Sequence, residues 1–111
     1  MSAINVYLVY GYLDRSGRSF GIDDFTLWNR TRKNDCRLQA VDPVNGDQGT
    51  VLYAAQSFIT IVKENVPLIH TVPIMGISED HTKALKDALK AIPPMHRPKG
   101  SPRWIVVAHQ D

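Results

Sequence analysis

The chain has 111 residues, of which 43% are hydrophobic and 22% are charged, and its formal net charge at pH 7 is +2. These values are typical of a globular protein, and a chain of this length buries a hydrophobic core without needing disulfides. We therefore expect residues 1–111 to form a single domain. The small excess of Lys and Arg argues against a dedicated nucleic-acid-binding protein.

Cysteine and histidine usage restricts the class of protein further. Cys36 is the only cysteine, which excludes an internal disulfide framework and a metal site built from several thiolates. The four histidines lack metal-ligand spacing, so we expect neither a metal nor a cofactor. The sequence has no signal-peptide pattern and no apolar run of about 20 residues. It predicts a soluble, cytoplasmic protein that does not bind membranes.

Short apolar segments alternate with turn residues in the first part of the chain. Asp23 or Asp24 is well placed to cap a helix, although residues 25–28 would also fit a strand. The apolar segments are rich in β-branched and aromatic side chains, which favour strands. In chain order we predict a strand at residues 4–12, a loop at 11–21, a helix at 23–33, a strand at 36–41 and a turn at 42–49.

Residues 50–65 fit two different elements. The apolar side chains of Val51, Ala55, Phe58 and Val62 recur at helical spacing. Residues 57–62 would equally form a strand, because they are rich in β-branched and aromatic types. The length of the segment favours the helix.

Residues 67–92 form the clearest pattern in the chain, a strand followed by a turn and a helix. Pro73 cannot donate a hydrogen bond to a neighbouring strand, so this strand is predicted to be short, bulged or at a sheet edge. Ser78 is a favourable helix cap, and an apolar stripe continues to Ile92 before two prolines end the helix. A basic, proline-rich connection then leads to a further strand at residues 104–108.

Strands alternate with helices in this interpretation. The sequence therefore predicts an α/β fold with a roughly four-stranded, mixed or parallel sheet flanked by two to three helices. If residues 25–28 or 57–62 form a strand instead, the prediction becomes an α+β fold with an antiparallel sheet.

The candidate ligand-binding residues follow from the parallel-sheet prediction, because ligands bind such sheets at the carboxyl ends of the strands. Arg15 and Arg18 lie in a glycine-rich loop that precedes a helix, an arrangement suited to a phosphate or a carboxylate. Asp42 and His81 follow other predicted strands and are expected at the same edge. His109 lies at the end of the strand at residues 104–108 and joins this group.

Ser78 and His109 define a catalytic alternative. Gly76-Ile77-Ser78 matches part of the nucleophile elbow of hydrolases, with Ser78 as the nucleophile and His109 as the general base. Asp80 replaces the second glycine of that motif, and the chain is much shorter than the hydrolase fold. Helix capping is therefore the preferred interpretation of Ser78.

We predict a small, non-catalytic binding or interaction module. Its tyrosines and tryptophans are typical interface residues, so we expect a homodimer or a complex with a protein partner. The alternatives are a hydrolase-like enzyme that uses Ser78 and His109, and a binder of anionic ligands that uses Arg15 and Arg18. Two basic clusters, at residues 30–37 and 96–103, make weak nucleic-acid binding a further alternative, which the low net charge disfavours.

Overall fold

Six strands and two α-helices make up the part of the chain that the computed structural model describes. It describes residues 4–18, 20–32, 34–44, 49–55, 59–61, 69–71 and 79–110, with the backbone alone at 59–61 and 69–71. The elements in chain order are β1 (Ile4–Asp14), α1 (Ile22–Thr31), β2 (Leu38–Val41), β3 (Thr50–Ala54), β4 (Ile59–Ile61), β5 (Ile69–Thr71), α2 (Glu79–Leu89), a single 3-10 turn (Pro94–His96) and β6 (Arg103–Gln110).

The strands form an antiparallel sheet in the order β2-β3-β1-β6-β5, and β4 pairs with β1 beyond β3. The central pair is β1 with β6, whose register runs from Ile4 opposite Gln110 to Gly11 opposite Arg103. Every described pairing is antiparallel. The fold is therefore α+β, and the predicted mixed or parallel sheet is wrong.

The incorrect topology comes from residues 50–65, where the helix prediction is wrong. Thr50–Ala54 is a strand that pairs with both β1 and β2, and Ile59–Ile61 is a second strand on the same side of β1. Val51 and Leu52 point to opposite faces of the sheet, and both are buried. A strand covered on both faces reads as a continuous apolar run, which periodicity cannot distinguish from a buried helix.

Both helices pack against one face of the sheet. This face receives the even-numbered side chains of β1, and its core also includes Trp28 from α1 and Leu85 from α2. Alternation along a strand explains the grouping, because successive side chains point to opposite faces. The buried sheet residues of this face are Leu8, Tyr10, Tyr12, Leu38, Leu52, Ala54, Trp104 and Val106.

The opposite face carries a second buried cluster, formed by Tyr7, Val9, Val41, Val51, Tyr53, Ile105 and Val107. The chain that leaves β2 runs beside the end of β6, where the backbone N–H of Val44 donates to the carbonyl of Ala108 at 2.9 Å. The segment after the edge strand β2 thus contacts β6, which lies three places away from β2 in the sheet order. The sheet must therefore curve strongly to bring β2 and β6 together.

Gly11 lies at a close approach between β1 and β3. A Cβ atom at this position would overlap the carbonyl oxygen of Leu52 and lie 2.7 Å from the Cα of Tyr53. Only glycine allows the two backbones to come this near. The strand continues to Asp14, so the predicted loop at residues 11–21 begins four residues later than expected.

The helix prediction for residues 23–33 is confirmed over its strand alternative. Gly21 occupies the N-cap position, and its N–H donates to Asp24 Oδ2 at 3.0 Å, which satisfies one backbone donor before the first turn.

The predicted helix in the 78–92 segment is also confirmed, as α2. Ser78 and Pro73 lie outside the described residues. Neither of the described helices is long and apolar enough to cross a bilayer.

Candidate functional site

A cleft of about 750 Å³ lies where β1 ends and β6 begins. One side, the β1 wall, consists of Leu13, Asp14, Arg15, Ser16 and Arg18. The other side, the β6 wall, consists of Arg97, Pro98, Lys99 and Arg103. The antiparallel pairing of β1 with β6 brings these two segments together, because it places Gly11 directly opposite Arg103.

Positive charge dominates this basic cleft. Its lining includes four arginines and one lysine but only one carboxylate, that of Asp14. The formal excess of four positive charges exceeds the net charge of the whole chain, which is +2. The rest of the molecule is therefore slightly acidic, and the cleft is the point to which an anion is attracted.

Arg18 connects the β1 wall to the segment that directly precedes the β6 wall. Its Nη1 donates to the carbonyl of Met95 at 3.0 Å, and its Nη2 donates to the carbonyl of His96 at 3.2 Å. Its Nε donates to Ser16 Oγ at 3.0 Å. Three contacts from one planar guanidinium fix both the side chain and the separation of the two walls.

Arg97 is also committed to the backbone. Its Nε donates to the carbonyl of Ile92 at 2.8 Å, and its Nη2 donates to the carbonyl of Lys90 at 2.9 Å. These carbonyls follow the last turn of α2, where partial negative charge accumulates and a cation is favourable. Arg97 thus secures the helix end to the β6 wall.

Arg15 and Lys99 differ from these two arginines. Both side chains are exposed, and neither makes a hydrogen bond or ion pair with the described residues. One lies on the β1 wall and the other on the β6 wall. Arg103, which is half-buried, donates from Nη1 to the carbonyl of Ser101 at 3.4 Å. Arg15 and Lys99 thus place one exposed cation on each side of the cleft.

Asp14 organises the β1 wall from beneath. The residue is only 4% exposed, and its Oδ1 accepts a hydrogen bond from the backbone N–H of Ser16 at 2.9 Å. The hydroxyl oxygen of Ser16 in turn accepts from the backbone N–H of Arg18 at 3.2 Å. This chain of contacts holds the loop after β1 in one conformation, with Arg15 at its outer surface.

The predicted ligand-binding residues fall into separate places. Arg15 and Arg18 line the basic cleft, whereas Asp42 and His109 meet each other elsewhere, with His109 Nδ1 lying 2.7 Å from the carbonyl oxygen of Asp42. Thr50, which is opposite Asp14 in the sheet, donates its hydroxyl to Asp42 Oδ1 at 2.8 Å. Asp42 is thus connected to the end of β1 but does not line the cleft.

His81 lies in the first turn of α2. The basic cleft adjoins the opposite end of this helix, which is on the order of 12 Å away along the axis at 1.5 Å per residue. Ser78 lies outside the described residues, so its pairing with His109 stays a prediction.

The sequence places Arg97, Lys99 and Arg103 in one basic cluster, but it does not predict that this cluster lies beside Arg15. The contact from Arg18 to Met95 spans 77 residues in sequence, and nothing local in either segment announces it. Residues 4–12 and 104–108 are both strongly apolar, which is the pattern of neighbouring central strands. Pairing them antiparallel would have placed Arg15 near Lys99 and Arg103.

The described residues offer little for other chemistry. They contain no group of three or more His, Cys, Asp or Glu side chains arranged to hold a metal ion. Burial raises the pKa of the Cys36 thiol, and the charge of Asp35 adds to that effect, whereas Arg32 opposes it. The thiol is therefore protonated near neutral pH and is a weak nucleophile.

Comparison of the chain with family models, with curated proteins and with solved structures gave no match.

Proposed function

We propose that this protein is a non-catalytic module that binds an anionic ligand in the basic cleft. The observation that supports this proposal is the convergence of five cationic side chains, from segments far apart in sequence, around a single carboxylate. Like charges brought this close repel one another, and an anion bound between them relieves that repulsion.

The hydrogen bonds around the cleft support the same proposal. Arg18 and Arg97 bind backbone carbonyls instead of carboxylates, so their charges are not neutralised by these contacts. The salt bridge between Lys90 and Asp87 lies outside the cleft lining. These contacts of Arg18 and Arg97 thus hold the walls in place without cancelling the charges of the two arginines.

A matched pair of double variants tests the proposal. Arg15→Ala with Lys99→Ala removes two exposed charges from the cleft, whereas Arg30→Ala with Lys86→Ala removes two exposed charges from the helices. Inorganic phosphate and pyrophosphate would be titrated into each protein by isothermal calorimetry. We expect the cleft variant to lose affinity for the tighter-binding anion by about 100-fold, at about tenfold for each charge-assisted contact.

The control variant should bind within about twofold of the parent protein, because neither Arg30 nor Lys86 lines the cleft and the charges of exposed side chains are screened by salt. Affinity should also fall as the salt concentration rises. The proposal fails if neither anion binds the parent protein, or if both double variants lose affinity equally.

Self-association is a second candidate function, which a groove between α1 and β2 favours. Its apolar lining includes Phe20, Phe25 and Ile22, and the Ile22 side chain is 85% exposed. We expect a second copy of the chain to cover this groove. Light scattering after size exclusion should give a dimer for the parent protein and for Ile4→Glu, but a monomer for Ile22→Glu; a monomeric parent protein would contradict the idea.

A further inference from the structure

We infer that the ligand of the basic cleft carries two linked phosphate groups, one held by Arg15 on the β1 wall and the other by Lys99 on the β6 wall. This inference rests on the proposed function, since it names the class of anion that the cleft takes. It concerns the division of work among the five cations.

The cations of the cleft differ in whether their donors are used by the fold. The guanidinium donors of Arg18 and Arg97 are directed at four backbone carbonyls, which hold the walls and the end of α2 in place. Arg15 and Lys99 are exposed and have no such contact within the described part of the chain. Arg15 on the β1 wall and Lys99 on the β6 wall thus have donors that a ligand can use. A ligand that uses both must bridge the cleft.

The charge of the cleft matches two phosphate groups better than one. A phosphate group carries roughly −1.5 to −2 at pH 7, so one phosphate offsets about half of the formal excess of four positive charges in the cleft lining. Two linked phosphates offset most of it. The cleft volume of about 750 Å³ is also much larger than a single phosphate ion and lies within the range of roughly 300–1,000 Å³ found for small-molecule sites.

The lining of the cleft suits a diphosphate better than a single-stranded nucleic acid. Proteins bind single strands by stacking bases on exposed aromatic rings beside a basic groove. No aromatic side chain is among the described residues that line the cleft. The nearby Trp104 is buried and packs edge-on against Tyr10, with ring centroids 5.3 Å apart. The cleft therefore suits phosphate groups without an adjoining stack of bases.

The test compares inorganic pyrophosphate with inorganic phosphate, in buffer free of divalent metal ions, on the parent protein and on single variants. We expect pyrophosphate to bind at least about tenfold more tightly than phosphate, which corresponds to one additional charge-assisted contact. Arg15→Ala and Lys99→Ala should each weaken pyrophosphate binding by about tenfold.

Each of these variants should weaken phosphate binding by no more than about twofold, because a single phosphate still has the other wall to bind. Arg30→Ala serves as the matched control and should leave both affinities unchanged. The ratio of the pyrophosphate affinity to the phosphate affinity thus shows whether one ligand contacts both walls. Neither affinity alone would show this.

The outcomes separate this inference from the proposed function. If the two anions bind the parent protein equally well, the inference is overturned while the anion-binding function stands. If neither binds, both fail. A single-stranded oligonucleotide that binds more tightly than pyrophosphate, and loses affinity in the same two variants, would overturn the diphosphate in favour of nucleic acid.

Discussion

The buried hydroxyl of Tyr53 donates a hydrogen bond to the Oε1 atom of Gln39 at 2.8 Å. The residue is only 4% exposed. Burial raises the pKa of Tyr53 to about 12, and the neighbouring Tyr7 adds to that effect. The folded protein therefore keeps this hydroxyl protonated at pH values where an exposed tyrosine is ionised.

The raised pKa of Tyr53 predicts that the protein loses stability at high pH. The unfolded chain releases the Tyr53 proton near pH 10, whereas the folded chain holds it to about pH 12. Above pH 10 the unfolded state binds fewer protons, so the free energy of unfolding falls as the pH rises. Tyr53 therefore contributes on the order of 2–3 kcal/mol to the free energy of unfolding. This contribution is fully present below pH 10 and is lost as the pH rises to about 12.

Urea unfolding at pH 9 and at pH 11.5 would measure the effect. We expect the parent protein to lose more unfolding free energy between these values than Tyr53→Phe, which has no proton to release. Equal losses in the two proteins would show that other groups cause the pH dependence.

At the scale of the element, Asn29 shows how a helix completes the edge of a sheet. Its Nδ2 donates to the carbonyl of Leu38 at 3.2 Å, and its Oδ1 accepts from the N–H of Leu38 at 2.7 Å. The amide of one α1 side chain thus takes the place of a neighbouring strand at the edge of β2. Covering such an edge limits unwanted pairing with other chains.

Substitution of Asn29 should therefore destabilise the protein through β2. Asn29→Ala removes both hydrogen bonds and is expected to cost about 1–3 kcal/mol of unfolding free energy. Asn29→Asp is the matched variant, because its carboxylate can still accept from Leu38 N–H but has no donor for the Leu38 carbonyl. An intermediate loss is expected for it in urea unfolding; an Asn29→Ala protein as stable as the parent would contradict this role.

The elements themselves were predictable to different degrees. The strand at residues 4–12 carries β-branched and aromatic side chains on both faces, and α2 has an apolar stripe with acidic residues in its first turn, so both patterns have one interpretation. Residues 50–54 do not, because Val51 and Leu52 are buried on opposite faces. Their period-2 signal is hidden, and the helical spacing with Ala55 is a coincidence of composition.

At the scale of the whole molecule, the arrangement of the strands was the part that the sequence left open. An alternation of strands and helices implies parallel crossovers, but converting residues 50–54 to a strand lets β2 and β3 pair as antiparallel neighbours. The candidate site shows the same limit. Arg15 and Lys99 each belong to a recognisable basic segment, yet only the pairing of β1 with β6 makes these segments the walls of one cleft.

The position of β6 between β1 and β5 has a consequence for biosynthesis. A ribosome that adds about 5–20 residues per second needs on the order of ten seconds to proceed from the end of β1 to the start of β6. Throughout that time β1 has no partner on its β6 side, and the nascent chain exposes the unpaired backbone N–H and C=O groups of an apolar strand. We expect newly made chains to depend on a chaperone during this interval, and the basic cleft to form only after β6 has left the exit tunnel.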